Sequence, residues 1–131
     1  MMKKLTLALV GVAALTGVVH AGLKASYPVS INTNLRTALG GLATARASAN
    51  PNTHIGCYSS VTVNPAASYY GYCQARDDQG VNAACTTTSP ELVEQMARLQ
   101  GDGRLQFDWD ASGTCVRIIV QQSSTQAPKA P

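Results

Sequence analysis

Hydrophobic and polar positions change their period several times along this chain, and each change marks an element. From His54 to Val63 one face carries Ile55, Cys57, Ser59, Val61 and Val63 in strict alternation, the period of a half-buried strand. Asn64 to Ser68 breaks that run with a proline, and Tyr69 to Arg76 resumes extended structure, so 54–76 is predicted to be a β-hairpin. If residues 64 and 68 close the loop, opposed positions sum to 132; Cys57 then faces Ala75, with Cys73 two positions away on the same face. Asp77-Asp78-Gln79-Gly80 makes the next turn and leads into a short strand, Val81 to Thr86.

The period then lengthens. Ser89 can cap a helix, Pro90 suits its first position, Glu91 and Glu94 favour its positive end, and Gly101 can close it. Its apolar stripe is Leu92, Val93, Met96 and Leu99. Alternation returns at Leu105, Phe107 and Trp109, with Arg104, Gln106, Asp108 and Asp110 on the opposite face. Asp110-Ala111-Ser112-Gly113 turns the chain, and Cys115 to Gln122 comes back as the last strand. Between Gly22 and Thr53 the pattern is weaker. A helix through Leu35, Leu39 and Leu42 would contain Gly40-Gly41, so two extended segments, 24–32 and 36–47, are expected instead. Residues 123–131 are polar and proline-containing and read as a flexible tail.

The expected architecture is therefore mainly β with an α+β element. It is a small antiparallel sheet of about six or seven strands, one helix near 90–100, and two disulfides. A length of 131 residues allows a single small domain.

The start of the chain changes where that domain should work. Residues 1–21 combine Lys3 and Lys4, an apolar run from Leu5 to Val19, and a small-residue exit at Val19-His20-Ala21, the parts of a secretory signal cleaved after Ala21. The run is shorter than the roughly 20 residues needed to cross a bilayer core, so no membrane span is expected after cleavage. The mature chain is expected to be secreted or periplasmic. Removing the two lysines leaves 8 basic against 7 acidic side chains, from totals of 10 and 7. Such a balance lacks the basic stripe of a nucleic-acid binder.

An even number of cysteines in an oxidising compartment implies disulfides. Cys57, Cys73, Cys85 and Cys115 allow three connectivities, and strand register favours Cys57 with Cys73 and Cys85 with Cys115. No C-x-x-C redox motif or zinc-ligand spacing is present, and no metal or cofactor is expected. The pair Gly56-Cys57, the run G-Y-C-x-A-R-D from 71 to 77 and L-x-F-x-W-D-x-x-G-x-C from 105 to 115 resemble a group of short exported bacterial proteins with four cysteines. That resemblance covers most of the mature chain. It implies the compartment and the disulfides, and carries no activity with it.

Candidate chemistry is sparse. His54 is the single histidine after the signal. A small ribonuclease-like hydrolase would pair it with Glu91 or Glu94 as general acid and base, although both glutamates already suit the helix start. Asp108 to Gly113 matches the first half of a calcium loop, but Ile119 stands where a bidentate glutamate would close it, and a hairpin turn explains the same residues. Tyr58, Tyr69, Tyr70 and Tyr72, with Trp109, are the candidate binding residues, because aromatic faces hold sugars and anchor protein interfaces. Tyr69 and Tyr70 cannot both point inward from one strand, so at least one ring should face outward.

The function expected is thus non-enzymatic: an extracellular assembly subunit or a surface-binding module, with a protein or glycan partner or self-association. An inhibitor of a secreted or periplasmic enzyme, using loop 64–68 or 77–80, and the hydrolase are the alternatives.

Overall fold

The computed structural model describes residues 23–126, so the expected signal segment and the tail from 127 onward lie outside the described residues. Seven strands and two helices follow in the order β1 (Ser30–Asn32), β2 (Thr37–Gly41), α1 (Leu42–Arg46), β3 (His54–Thr62), β4 (Ser68–Arg76), β5 (Asn82–Thr87), α2 (Pro90–Ala97), β6 (Arg104–Trp109) and β7 (Cys115–Gln121). The mainly β, antiparallel, twice-disulfide-linked fold is as expected. Its strands divide into two sheets, β1-β2-β6-β7 and β3-β4-β5.

The core lies between them. Phe107 and Leu105 of β6, Ala38 of β2 and Cys73 of β4 are wholly buried, and Ile55, Ala75, Cys85, Met96 and Ile118 join the same cluster. Small residues let the layers approach closely. A Cβ on Gly40 would come within 3.1 Å of the Val29 backbone, and one on Gly71 within 2.5 Å of Met96 Sδ. The thioether therefore occupies the space that any larger residue at 71 would take.

Helix α2 begins as its sequence dictates, with the Ser89 hydroxyl accepting from Leu92 N–H at 3.3 Å and Pro90 in the first turn. It ends at Ala97, with Val93 and Met96 buried. Helix α1 corrects the extended reading of 36–47, since β2 stops at Gly41 and Leu42-Ala43-Thr44-Ala45-Arg46 turns helical. No side chain caps it; Gly41 N–H instead donates to Tyr27 O at 2.8 Å and Leu42 N–H to Gly103 O at 3.0 Å. The first amide donors are thus satisfied by tertiary carbonyls, for which a local pattern carries no signal. The extended reading of 24–32 shrinks likewise to β1 and one parallel bridge, Ala25 to Gln126. That bridge and the buried Gln126, whose Nε2 donates to Gln121 O at 2.9 Å, hold 123–126 against the domain.

The hairpin β3–β4 forms with a different closure. Thr62 faces Ser68, opposed positions sum to 130, and Cys57 lies directly across from Cys73. The two-residue difference from the expected register preserves parity, so every side chain keeps its expected face.

Candidate functional site

Both disulfides are closed, and they lie in one row across the fold. Cys57–Cys73 joins β3 to β4 with Cα atoms 4.0 Å apart, and Cys85–Cys115 joins β5 to β7 of the other sheet with Cα atoms 5.0 Å apart. Cys73 and Cys85 are themselves register partners, and the sulfurs of Cys73, Cys85 and Cys115 sit within 4.8 Å of one another. As disulfide sulfurs they are cross-links, with no thiolate to offer a metal or a substrate. Two closed disulfides fit an oxidising compartment outside the cytoplasm. Among the described residues no helix is long and apolar enough to cross a membrane.

Directly above the first disulfide lies the outer face of the three-stranded sheet. The register places Tyr58 opposite Tyr72 and Tyr70 opposite Ser60, so the three tyrosines share this face. Tyr58 is 60% exposed and Tyr70 44%, with ring centroids 6.4 Å apart and planes tilted by 57°. Tyr72 is half-buried and donates its hydroxyl proton to Gln74 Oε1 at 3.3 Å. Next to the rings the face is small, with Gly56, Ala84 and Thr86 leaving them uncovered, and its charge sits at the far end, where Arg76 lies between His54 and Asn82. A Cβ on Gly56 would meet nothing within 4 Å. Towards the far end His54, Tyr72, Gln74 and Asn82 border a shallow hollow of about 240 Å³.

Two of the expected binding residues lie elsewhere. Tyr69 points to the inner side, as its neighbour's outward position requires, and walls a groove of about 450 Å³ between the hairpin and α2. Trp109 belongs to the other sheet, packs against the core and stacks on Phe107 at 5.8 Å. Alternation alone placed it on an inward face, and only the division into two sheets removed it from the tyrosines.

The catalytic candidates are not brought together. His54 pairs with Arg76, and Arg76 with Asn82, at one end of the sheet; α2 follows Thr87 at the other end of β5. Five residues of strand, roughly 16 Å, separate those ends. His54 Nδ1 lies 2.9 Å from Asn52 O and so donates to that carbonyl. Glu94 pairs with Arg98 at 3.0 Å, and Glu91 accepts from the Ser89 hydroxyl at 2.7 Å. That hydroxyl, with Glu91's own amide, holds the Glu91 carboxyl below its ordinary value.

The carboxylates of 108–113 are likewise engaged by the protein. Asp110 Oδ1 accepts from Ser112 N–H at 2.8 Å, the Ser112 hydroxyl at 2.6 Å and Thr114 N–H at 3.0 Å, which closes the β6–β7 turn. Asp108 accepts from the Thr37 hydroxyl at 2.6 Å and Gln106 Nε2 at 3.2 Å, and pairs with Arg117. Partial burial raises the Asp108 carboxyl, but these donors and the Arg117 charge outweigh it and the net shift is downward. These bonds build an ordinary hairpin turn, which accounts for the aspartates and Gly113 here without a cation.

The candidate inhibitory loops are both defined. The 77–80 turn is organised by Asp77, whose buried carboxylate accepts from Gln79 N–H at 3.1 Å and Val81 N–H at 2.8 Å, with Gly80 at φ +87°. The 63–67 connection is fully exposed.

No family model, no curated protein and no solved structure matches this chain.

Proposed function

We propose that the protein is an exported, non-enzymatic binding module whose contact surface is the outer face of the β3-β4-β5 sheet. One observation carries the reading: Tyr58 and Tyr70 stand exposed side by side, with Tyr72 behind them, on a sheet cross-linked directly beneath by Cys57–Cys73. Core packing does not use these rings, and a disulfide-braced sheet presents them with little conformational entropy left to lose on binding. Amide neighbours such as Gln74 and Asn82 supply hydrogen-bond donors and acceptors beside the rings, which suits a glycan or a polar protein surface. Separation of His54 from Glu91 and Glu94, and the engagement of both glutamates by helix partners, argues against a hydrolase built on them.

The test compares the wild-type protein with a Tyr58→Ser, Tyr70→Ser double variant. Each is passed over immobilised envelope polysaccharide and over proteins from the producing cell's periplasm and medium. Loss of two central aromatic contacts should reduce retention of the bound partner by tenfold or more. Equal retention of the two proteins would remove the face from consideration.

A further inference from the structure

The face just described ends in an open strand edge. Cys57 and Cys73 have Cα atoms 4.0 Å apart, the close spacing of a non-hydrogen-bonded antiparallel pair. Parity then fixes the rest of the strand, because Tyr58 and Ser60 bond to β4 while Cys57, Ser59 and Val61 turn their N–H and C=O groups away from it. The same parity turns Asn82, Ala84 and Thr86 of β5 outward, and Thr86 N–H indeed donates to Gly113 O at 3.1 Å. So the β5 edge is stopped by the 110–114 turn. Strand β1 is three residues long, and β7 carries the charged Arg117. On β3, among the described residues, no backbone group bonds to the outward set.

Sheet edges left to solvent are ordinarily blunted by charge, proline, a bulge or brevity. Strand β3 has none of these: it runs nine residues in unbroken register, and from Ile55 to Thr62 it contains no acidic or basic side chain and no proline. We infer that β3 pairs antiparallel with β3 of a second copy of this chain, across a two-fold axis at Ser59. In that register Ser59 meets Ser59, and Cys57 of each copy meets Val61 of the other, so Cys57, Ser59 and Val61 all find hydrogen-bonded partners, while Ile55, outward by the same parity, falls opposite Val63 past the strand end. On the outer face each Tyr58 lies beside the small Ser60 of the second copy, a large-against-small fit, whereas an axis centred on Tyr58 would set the two Tyr58 rings against each other. Within the paired strands no like charges meet, as they would by β7 pairing through Arg117, and Glu94 of α2, which lines the groove beside Ser59 and Val61, is already paired with Arg98. The product is a six-stranded sheet whose two tyrosine sets form one surface. The inference concerns the edge, and stands or falls apart from the binding reading of the face.

The test is sedimentation velocity and native mass spectrometry of the oxidised protein over a wide concentration range, with amide hydrogen exchange. The expected result is a dimer in which the Cys57, Ser59 and Val61 amides gain protection as concentration rises, while those of Tyr58 and Ser60 are protected throughout. Ser59→Pro removes an outward N–H and leaves the β3–β4 ladder whole, the placement at which an edge strand accepts proline. Val61→Lys keeps every backbone group but sets a charge at the contact, and it decides the matter should Ser59→Pro fail to form its disulfides. Either should weaken the dimer by at least tenfold. A wild-type protein that stays monomeric with freely exchanging edge amides, or a dimer indifferent to both substitutions, would overturn the pairing. Partner retention by the monomeric Val61→Lys variant, compared with Tyr70→Ser, shows separately whether the face binds.

Discussion

Replacing Cys85 and Cys115 together by alanine should show how far the two sheets depend on their covalent link. The bridge closes a loop with a sequence separation of 30, against 16 for Cys57–Cys73. Chain entropy alone then assigns about 4 kcal/mol to the first and about 3 kcal/mol to the second. Cys85 and Cys115 are each 2% exposed, so the lost sulfurs leave a void worth about 1 kcal/mol more. The position in the fold adds to this difference. Strands β3 and β4 remain zipped by nine register pairs without their disulfide, whereas β5 is joined to the turn before β7 by the single Thr86–Thr114 bridge. Guanidinium unfolding followed by Trp109 fluorescence and far-ultraviolet circular dichroism provides the assay, since this lone tryptophan reports on the four-stranded sheet. With a slope of about 2.5 kcal/mol/M, the midpoint should fall by about 2 M for the Cys85/Cys115 variant and by less for Cys57/Cys73. The two probes should also separate in the former. A fall under about 0.5 M, or a larger loss in the Cys57/Cys73 variant, would refute the view of this bridge as the link between the sheets.

Phe107→Ala should destabilise the protein by about 3–5 kcal/mol in the same assay, because Phe107 is wholly buried between the sheets; a loss under about 1 kcal/mol would mean that the core lies elsewhere. Ser89→Ala should cost about 1 kcal/mol by removing the α2 cap, and Ser89→Asp, which keeps an acceptor there, should recover most of it. Asp108 and Asp110 are both held below the ordinary carboxylate value of 3.8, Asp110 chiefly by the Ser112 hydroxyl and the Thr114 amide. A depressed folded-state value means that their stabilisation is complete above about pH 5 and is lost as pH falls through 3.8 and below. Thermal midpoints between pH 6 and pH 2 should therefore decline in acid, less steeply in Asp108→Asn and Asp110→Asn; a profile unchanged in both variants would count against the assignment.

What the amino-acid order determined by itself is local. Alternation in 54–63, 69–76 and 105–109 has the two-residue period of a pleated strand, and Ser89-Pro90 followed by a 3.6-residue stripe starts a helix wherever it is placed. The same period puts Tyr69 and Tyr70 on opposite faces, a division that a two-residue error in hairpin register leaves intact; the packing of the two sheets decided that Tyr70 is the outward ring. Register parity likewise brought the cysteines of the hairpin to one side.

The tertiary structure alone decided everything that depends on which distant backbone meets which. Whether seven strands make one sheet or two is a matter of long-range pairing, with no local period to announce it. That division took Trp109 away from the tyrosines, and the start of α2 beyond the far end of β5 took His54 away from the glutamates. Helix α1 depends on carbonyls of Tyr27 and Gly103 for its first donors, so its five residues read as extended until those partners are in place. The open edge of β3 is likewise invisible in its own sequence, because an edge is defined by a neighbour that does not come. A strand's period is set by its own dihedral angles, whereas its partners are chosen by the burial of the whole chain.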